Sequence, residues 1–199
     1  MTTRLVRGAT VWTGECRTVT TMVLLVAATA AELCRCDGLV CGVGPVEAAA
    51  ATARRLARQP VSAVLHVGLA GGPEPGTLVV GSEAVYVDLR ASWPVVDRIE
   101  PDARLLEAAC RTLPSAPVVP ILTSAAVGAS QHRVDGPVEA MEGFAVLRAC
   151  ALAGVPAVEV RAVSNEVGQD DRSRWRIAEA LRALDEALPR LLAAVDEVV

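Results

Sequence analysis

Short apolar runs alternate along the chain with Ala-, Leu- and Arg-rich stretches of helical periodicity. This alternation is typical of βα units built around a largely parallel sheet. It predicts strands over Met22 to Ala28, Gly38 to Cys41, Ala63 to Gly68, Ala84 to Asp88, Val118 to Thr123 and Ala157 to Ser164. Helices are predicted over Pro45 to Arg58, Pro101 to Thr112, Val138 to Ala153 and Arg174 to Ala194, with Pro189 expected to kink or end the last one. The pattern therefore predicts one α/β domain.

The last predicted strand, "AVEVRAVSN" at residues 157–165, carries charge inside an apolar run. Glu159 and Arg161 interrupt its valines, and the run ends on Ser164 and Asn165. Two interpretations fit this pattern. The strand is either an ordinary one with a salt bridge and a polar turn, or its end faces a ligand.

Other predicted strand ends also carry distinctive residues, and ligands of such sheets bind outside the carboxyl ends of the strands. Glu32 follows the first strand, while "CGVGP" at 41–45 and "GLAGG" at 68–72 follow the second and third. The glycines could simply form tight turns. Glu139 and Glu142, three residues apart in a predicted helix, are either site carboxylates or an acidic first turn that favours the helix dipole.

Composition excludes several classes of function. A net charge of −4, with Arg as the only basic residue type besides His, argues against a nucleic-acid partner, which needs a basic face.

The apolar run at 22–31 follows three arginines, as in a signal peptide, but it also suits a first strand, which we favour. No other window approaches the length of a membrane span. Residues 1–21 are predicted to be an N-terminal extension, or a misassigned start, ahead of a domain at 22–199.

Six cysteines do not predict a disulfide framework or a metal site. One residue separates Cys34 from Cys36, unlike the two-residue spacing of zinc knuckles and redox motifs, and the chain has only two histidines, His66 and His132. Free thiols in a reducing cytoplasm are the expected state. We therefore predict a cytoplasmic protein without a metal or cofactor.

The segments "GLAGG", "VEAMEGFAV" and "VRAVSN", with Glu32 before them, resemble the purine nucleoside phosphorylase and nucleosidase family, in which these elements occur in this order. The chain is most similar to the futalosine hydrolase branch, through "GVGPVEAAAATA", "SEAVYVDL" and "VRAVSNEVGQDDRSRWRIAEAL". The resemblance spans Met22 to Leu188. It implies a single-domain phosphorylase/nucleosidase-like fold with a twisted central mixed β-sheet flanked by helices. It also implies homo-oligomers that cleave the N-glycosidic bond of a purine nucleoside.

The resemblance also implies roles for individual residues. Glu32 matches the acid/base carboxylate that activates water, and Asn165 matches the catalytic position that meets the purine edge. Glu142 matches the carboxylate that accepts hydrogen bonds from the ribose hydroxyls, with Met141 against the sugar. The other positions assigned to substrate binding are Ala28, Thr29, Ala70, Gly71, Thr123, Arg161 and Ser164, with Arg161 expected to brace the site from beneath.

Departures from the family pattern indicate which base and which acceptor of the sugar to expect. Nucleosidases of the methylthioadenosine type usually have Asp where this chain has Asn165. The amide therefore predicts a 6-oxopurine nucleoside as the substrate. Within the branch that the chain resembles, this nucleoside is futalosine, which releases hypoxanthine in a route to menaquinone. No Arg, Ser and His set for phosphate is visible, and Leu69 stands where a serine is common, so water is the expected acceptor. Because the segments that cover the substrate are short, alternatives are another purine nucleosidase, a phosphorylase, or a catalytically weak nucleoside-binding member.

Overall fold

The structure, a computed structural model, describes residues 22–126 and 138–199. Its strands are β1 (Met22–Ala27), β2 (Leu39–Val40), β3 (Val61–Gly71), β4 (Leu78–Tyr86), β5 (Arg98–Ile99), β6 (Val118–Thr123), β7 (Val138–Ala140) and β8 (Ala157–Asn165). Its helices are α1 (Pro45–Leu56), α2 (Ala103–Thr112), α3 (Gly143–Ala153) and α4 (Ile177–Asp196), and a 3₁₀ helix (Arg172–Arg174) precedes α4. The predicted extension at residues 1–21 lies outside the described residues, so the domain boundary at residue 22 stays a prediction.

The strands form one mixed sheet. Five pairs of strands are parallel: β1 with β2, β1 with β3, β3 with β8, β4 with β6, and β6 with β7. Three pairs are antiparallel: β3 with β7, β4 with β5, and β4 with β8. Because β8 pairs with both β3 and β4, strands β3, β7, β6, β4 and β8 close into a ring. The predicted α/β class with a mixed sheet is confirmed. The carboxyl ends of β1, β3 and β8 meet at one edge of this sheet.

The two faces of the sheet bury two different hydrophobic clusters. In β1, Leu25 and Ala27 face the cluster that includes α2 and α4 residues, whereas Leu24 and Val26 face the cluster of α1 and α3. This alternation follows from the two-residue period of a strand, which sends successive side chains to opposite faces. Helices therefore cover both faces, and β1 is buried on both sides from Leu24 to Ala27.

The predicted helix over Val138 to Ala153 is wrong at its start. Val138 and Ala140 are buried in β7, which pairs with β3 and β6, and α3 begins only at Gly143. Glu139 and Glu142 are therefore not neighbours on a helix. An apolar strand of three residues runs directly into an apolar helix, so the sequence offers no break in periodicity between them.

Other boundaries also differ from the predicted ones. β3 extends to Gly71, so most of "GLAGG" forms the end of this strand rather than a turn after it. β4 begins at Leu78, six residues before the predicted start at Ala84, and β5 was not predicted. Of the two outcomes expected at Pro189, a kink or an end of the helix, the end is wrong, because α4 continues to Asp196. No helix within the described residues is both long enough and apolar enough to cross a bilayer.

Candidate active site

A cavity of about 560 Å³ opens where the carboxyl ends of β1, β3 and β8 meet, next to the turn from β7 into α3. Parallel strands direct the loops after their carboxyl ends to the same edge, which is why segments distant in sequence converge here. Nine of the residues assigned by resemblance line it: Ala28, Thr29, Glu32, Ala70, Gly71, Met141, Glu142, Ser164 and Asn165. Thr123 and Arg161 do not line it; both are fully buried.

Glu32 is held rigidly in the turn after β1. Its Oε2 atom accepts hydrogen bonds from the backbone N–H of Thr29 at 2.8 Å and from the Thr29 hydroxyl at 2.7 Å. Its Oε1 atom accepts from the backbone N–H of Leu69 at 2.9 Å, near the end of β3. The carboxylate is only 6% exposed yet lines the cavity, so it can act on a bound molecule without rearranging first.

Glu142 stands at the start of α3 and points away from its own helix. Its Oε1 atom accepts from the backbone N–H of Gly44 at 3.0 Å, and its Oε2 atom lies 3.4 Å from Nη1 of Arg161. The side chain makes no capping bond to α3. These two contacts fix the orientation of the carboxylate, and the residue still borders the cavity.

Arg161 is buried beneath the cavity and contacts several of the groups that form the site. Besides Glu142, its guanidinium donates to Glu159 through Nε at 2.7 Å and contacts the carbonyl of Leu69 and Nε2 of His66. Gly68 makes this approach possible, because a Cβ there would collide with Nη1 of Arg161 and lie 2.9 Å from Oε1 of Glu32. The guanidinium therefore sits close to both predicted carboxylates of the site.

His66 and Glu159 surround Arg161 inside the protein. Nδ1 of His66 lies 3.0 Å from the carbonyl oxygen of Val26, so Nδ1 carries the proton and Nε2 is left to accept from Arg161. Burial, and then the charge of Arg161, hold the pKa of His66 well below its usual value, so the ring is neutral. Burial raises the pKa of Glu159, which is fully buried and paired with Arg161 through Oε1.

Asn165 and Ser164 form the wall at the end of β8. The Asn165 carbonyl group of the side chain accepts from the Ser164 hydroxyl at 2.7 Å, and its amide donates to the carbonyl of Glu166 at 2.9 Å. An amide offers two donors and two acceptor sites, so one of each remains for a ligand. Gly71 gives this side chain room, since a Cβ there would lie 3.2 Å from Nδ2 of Asn165.

Several cavity residues had been given no role in the site, among them Glu139, which was named only as one of two possible site carboxylates: Ala31, Val43, Leu69, Glu139, Ala140, Gly168, Arg172, Trp175, Ile177 and Leu181. Glu139 is only partly buried in β7, between the buried Val138 and Ala140, and both Glu139 and Ala140 border the cavity. Burial, and then the charge of Asp88, raise the pKa of Glu139. Trp175 could also have been noticed in the sequence, because it is one of only three tryptophans and follows the end of the last predicted strand by about ten residues.

Comparison with known proteins identifies the class to which this chain belongs. Residues 7–199 match the family model of the Phosphorylase superfamily, so the chain belongs to that superfamily. Among its relatives, a futalosine hydrolase of Streptomyces coelicolor is 38% identical over 182 residues, which span 78% of this chain and 77% of that protein. A futalosine hydrolase of Thermus thermophilus is 37% identical over 179 residues, which span 76% and 79%. The family resemblance predicted from the sequence motifs is confirmed.

Solved structures share the fold at lower sequence identity. A methylthioadenosine/S-adenosylhomocysteine nucleosidase of Colwellia psychrerythraea in complex with adenine superposes with a TM-score of 0.78 at 20% identity, covering 88% of this chain and 96% of that one. An S-adenosylhomocysteine nucleosidase of Streptococcus pyogenes in complex with 5-methylthiotubericidin gives 0.76 at 20% identity, covering 92% and 99%. At this identity, the likeness concerns the fold.

Proposed function

We propose that this protein hydrolyses the N-glycosidic bond of a 6-oxopurine nucleoside, with futalosine as the substrate and hypoxanthine as the released base. One observation carries the proposal: Glu32, Glu142 and Asn165 border the same cavity in a chain whose relatives of about 38% identity are futalosine hydrolases. Each side chain supplies a different group that this reaction needs.

The sugar develops positive charge as the glycosidic bond breaks, and fixed negative groups stabilise that charge. We assign Glu142 to the ribose hydroxyls, with Met141 against the sugar. Because Gly44 and Arg161 already hold this carboxylate, little reorganisation is needed when the substrate binds. Glu32 is assigned to the attacking water, which it orients and deprotonates; Thr29 and Leu69 fix its position for that task.

Asn165 is assigned to the departing base. Its remaining acceptor suits a protonated N7 of hypoxanthine, and its remaining donor suits O6. The Ser164 hydroxyl and the Glu166 carbonyl support the amide from the other side, which fixes its plane. A 6-aminopurine presents a donor where O6 accepts, so this arrangement favours the oxo base.

Water is proposed as the acceptor because of the charges around the cavity. Within the described residues, three carboxylates, Glu32, Glu139 and Glu142, line it against one arginine, Arg172. Arg161 is fully buried and already paired with two carboxylates. A phosphate ion beside the sugar would meet like charge from these groups. A neutral water molecule meets no such repulsion.

A direct assay tests the substrate. The protein is incubated with futalosine, inosine, adenosine and methylthioadenosine, with and without phosphate, and free base is separated by chromatography. We expect hypoxanthine from futalosine and little adenine from the two 6-amino nucleosides. Faster release of adenine than of hypoxanthine would instead assign the protein to the methylthioadenosine type.

We further propose that the protein is a cytoplasmic homo-oligomer. Val43, which borders the cavity, is 56% exposed, and Val46, three residues later, is 78% exposed, so apolar surface lies beside the cavity. Light scattering coupled to size exclusion should give a mass that is a multiple of 20.7 kDa. A mass of one chain at micromolar concentration would contradict the oligomer.

A further inference from the structure

The partners of the Arg161 guanidinium do not hold it equally firmly. Nε donates to Oε1 of Glu159 at 2.7 Å, and Nη2 is in direct contact with Nε2 of His66. The third nitrogen is held loosely, because Nη1 lies 3.4 Å from Oε2 of Glu142 and 3.5 Å from the carbonyl oxygen of Leu69. Charge-assisted hydrogen bonds are strongest at about 2.7–2.9 Å, so Glu159 and His66 set the position of the guanidinium.

His66 itself is anchored to the backbone on its other side. It pairs in register with Val26 of β1 and with Glu159 of β8, and its Nδ1–H donates to the carbonyl of Val26 at 3.0 Å. A neutral imidazole with its proton on Nδ1 presents a lone pair on Nε2. The ring therefore connects the guanidinium to the backbone of β1, the strand that leads into the cavity.

The lack of charge on His66 matters for Glu142. A neutral acceptor satisfies Nη2 and leaves the positive charge of Arg161 to its two carboxylates. Within the part of the chain that the structure describes, His66 is the hydrogen-bond partner of Nη2, and a buried donor that loses its partner is costly. Without an acceptor at position 66, the guanidinium would be stabilised by turning toward Glu142.

We propose that His66 is a positioning residue that holds Arg161 away from a tight ion pair with Glu142, so that this carboxylate keeps its acceptor sites for the ribose hydroxyls. The inference rests on the proposed function, in which Glu142 binds the ribose. A shorter ion pair would direct the charge of Glu142 to Arg161 and weaken its hydrogen bonds to the substrate. His66 is fully buried and does not border the cavity, so it acts through Arg161.

A double-mutant cycle tests this route. kcat/KM on futalosine is measured for the wild type, His66→Phe, Glu142→Gln and the variant with both changes. Phenylalanine keeps an aromatic ring but offers no acceptor to Nη2. We expect His66→Phe to lower kcat/KM by about tenfold in the wild-type background. In the Glu142→Gln background the loss should be less than about twofold, because the group through which His66 acts has already been changed.

Two further variants separate positioning from a general loss of packing. His66→Gln keeps an oxygen that can accept from Nη2, so its loss should be smaller, about threefold, and should also disappear in the Glu142→Gln background. It takes the place of His66→Phe in the cycle if urea unfolding shows that His66→Phe does not fold. Thr52→Val removes a fully buried hydroxyl of α1 outside the cavity lining and should behave as the wild type.

The outcomes separate the positioning role from the reaction. Equal losses in both backgrounds, or no loss in either, would overturn the role of His66, while cleavage of futalosine by the wild type upholds the proposed function. If the wild type cleaves methylthioadenosine and not futalosine, the proposed function fails. The same cycle on methylthioadenosine, which has the same ribose hydroxyls, then decides the role of His66. If it cleaves neither, dissociation constants of inosine from calorimetry are compared in the same cycle.

Discussion

Nη1 of Arg161 lies 3.4 Å from Oε2 of Glu142, and these side chains are 0% and 5% exposed. A buried pair of this kind fixes both partners, since moving either one would leave the other charge unpaired in a poorly polarisable environment. The carboxylate proposed to bind the ribose is thus oriented by a group that does not itself border the cavity.

Glu142→Gln should weaken transition-state binding by about 2 to 4 kcal/mol, because the ribose hydroxyls lose a charged acceptor. The measurement is kcat/KM on futalosine. Glu139→Gln is the matched control, since Glu139 lines the same cavity but has no assigned role. Near-normal activity of Glu142→Gln, or equal losses in both variants, would show that the ribose contact is wrongly assigned.

Glu32→Gln should lower kcat by a factor of about 10² to 10⁴, the usual contribution of a general base, while leaving substrate affinity measurable. The amide keeps an oxygen that can accept from the Thr29 N–H and hydroxyl, so the turn after β1 is expected to hold. Calorimetry gives the dissociation constant, and Glu107→Gln on the exposed face of α2 serves as the control. Unchanged turnover in Glu32→Gln would remove this residue from the reaction.

Asn165→Asp should change the selectivity for the base. A carboxylate offers only acceptors and repels O6, so activity should fall on 6-oxopurine nucleosides and rise in relative terms on 6-aminopurine ones. The test is the ratio of kcat/KM for inosine and adenosine in the wild type and in the variant. An unchanged ratio would show that Asn165 does not face the base.

His66 should make the folded state less stable in acid. Its pKa in the folded protein lies well below 6.5, so below pH 6.5 the unfolded chain binds a proton that the folded chain does not. Stability should be unaffected above that pH and fall by up to about 1.4 kcal/mol per pH unit below it, until the folded pKa is reached. Urea unfolding of the wild type and His66→Gln from pH 5 to 8, at roughly half-unit steps, measures this. Identical slopes below pH 6.5 would contradict it.

The sequence predicted the parts of the site that follow from strand ends. Glu32 comes just after β1 and Asn165 ends β8, and parallel strands bring such positions to one edge. The start of β7 was missed because Val138 and Ala140 fit a helix as well as a strand. Only pairing with β3 and β6 distinguishes the two.

The buried group around Arg161 depends on tertiary structure and was predicted only in part. A brace beneath the site and a salt bridge in β8 were expected, but His66 and Glu142 as further partners of Arg161 were not. The register of β3 and β8 places His66 beside Glu159 and Gly68 beside Arg161, on the face that α3 covers. Nothing local in either segment specifies this register, so a histidine 95 residues away could not be assigned as the acceptor for the guanidinium.

The acceptor of the sugar tests the central claim most directly. Hypoxanthine release from futalosine is followed at increasing phosphate concentration, and the sugar product is examined by phosphorus NMR. Hydrolysis predicts a rate that does not depend on phosphate and a sugar product without phosphorus. A rate that requires phosphate, with a ribose 1-phosphate product, would contradict hydrolysis and make the protein a phosphorylase.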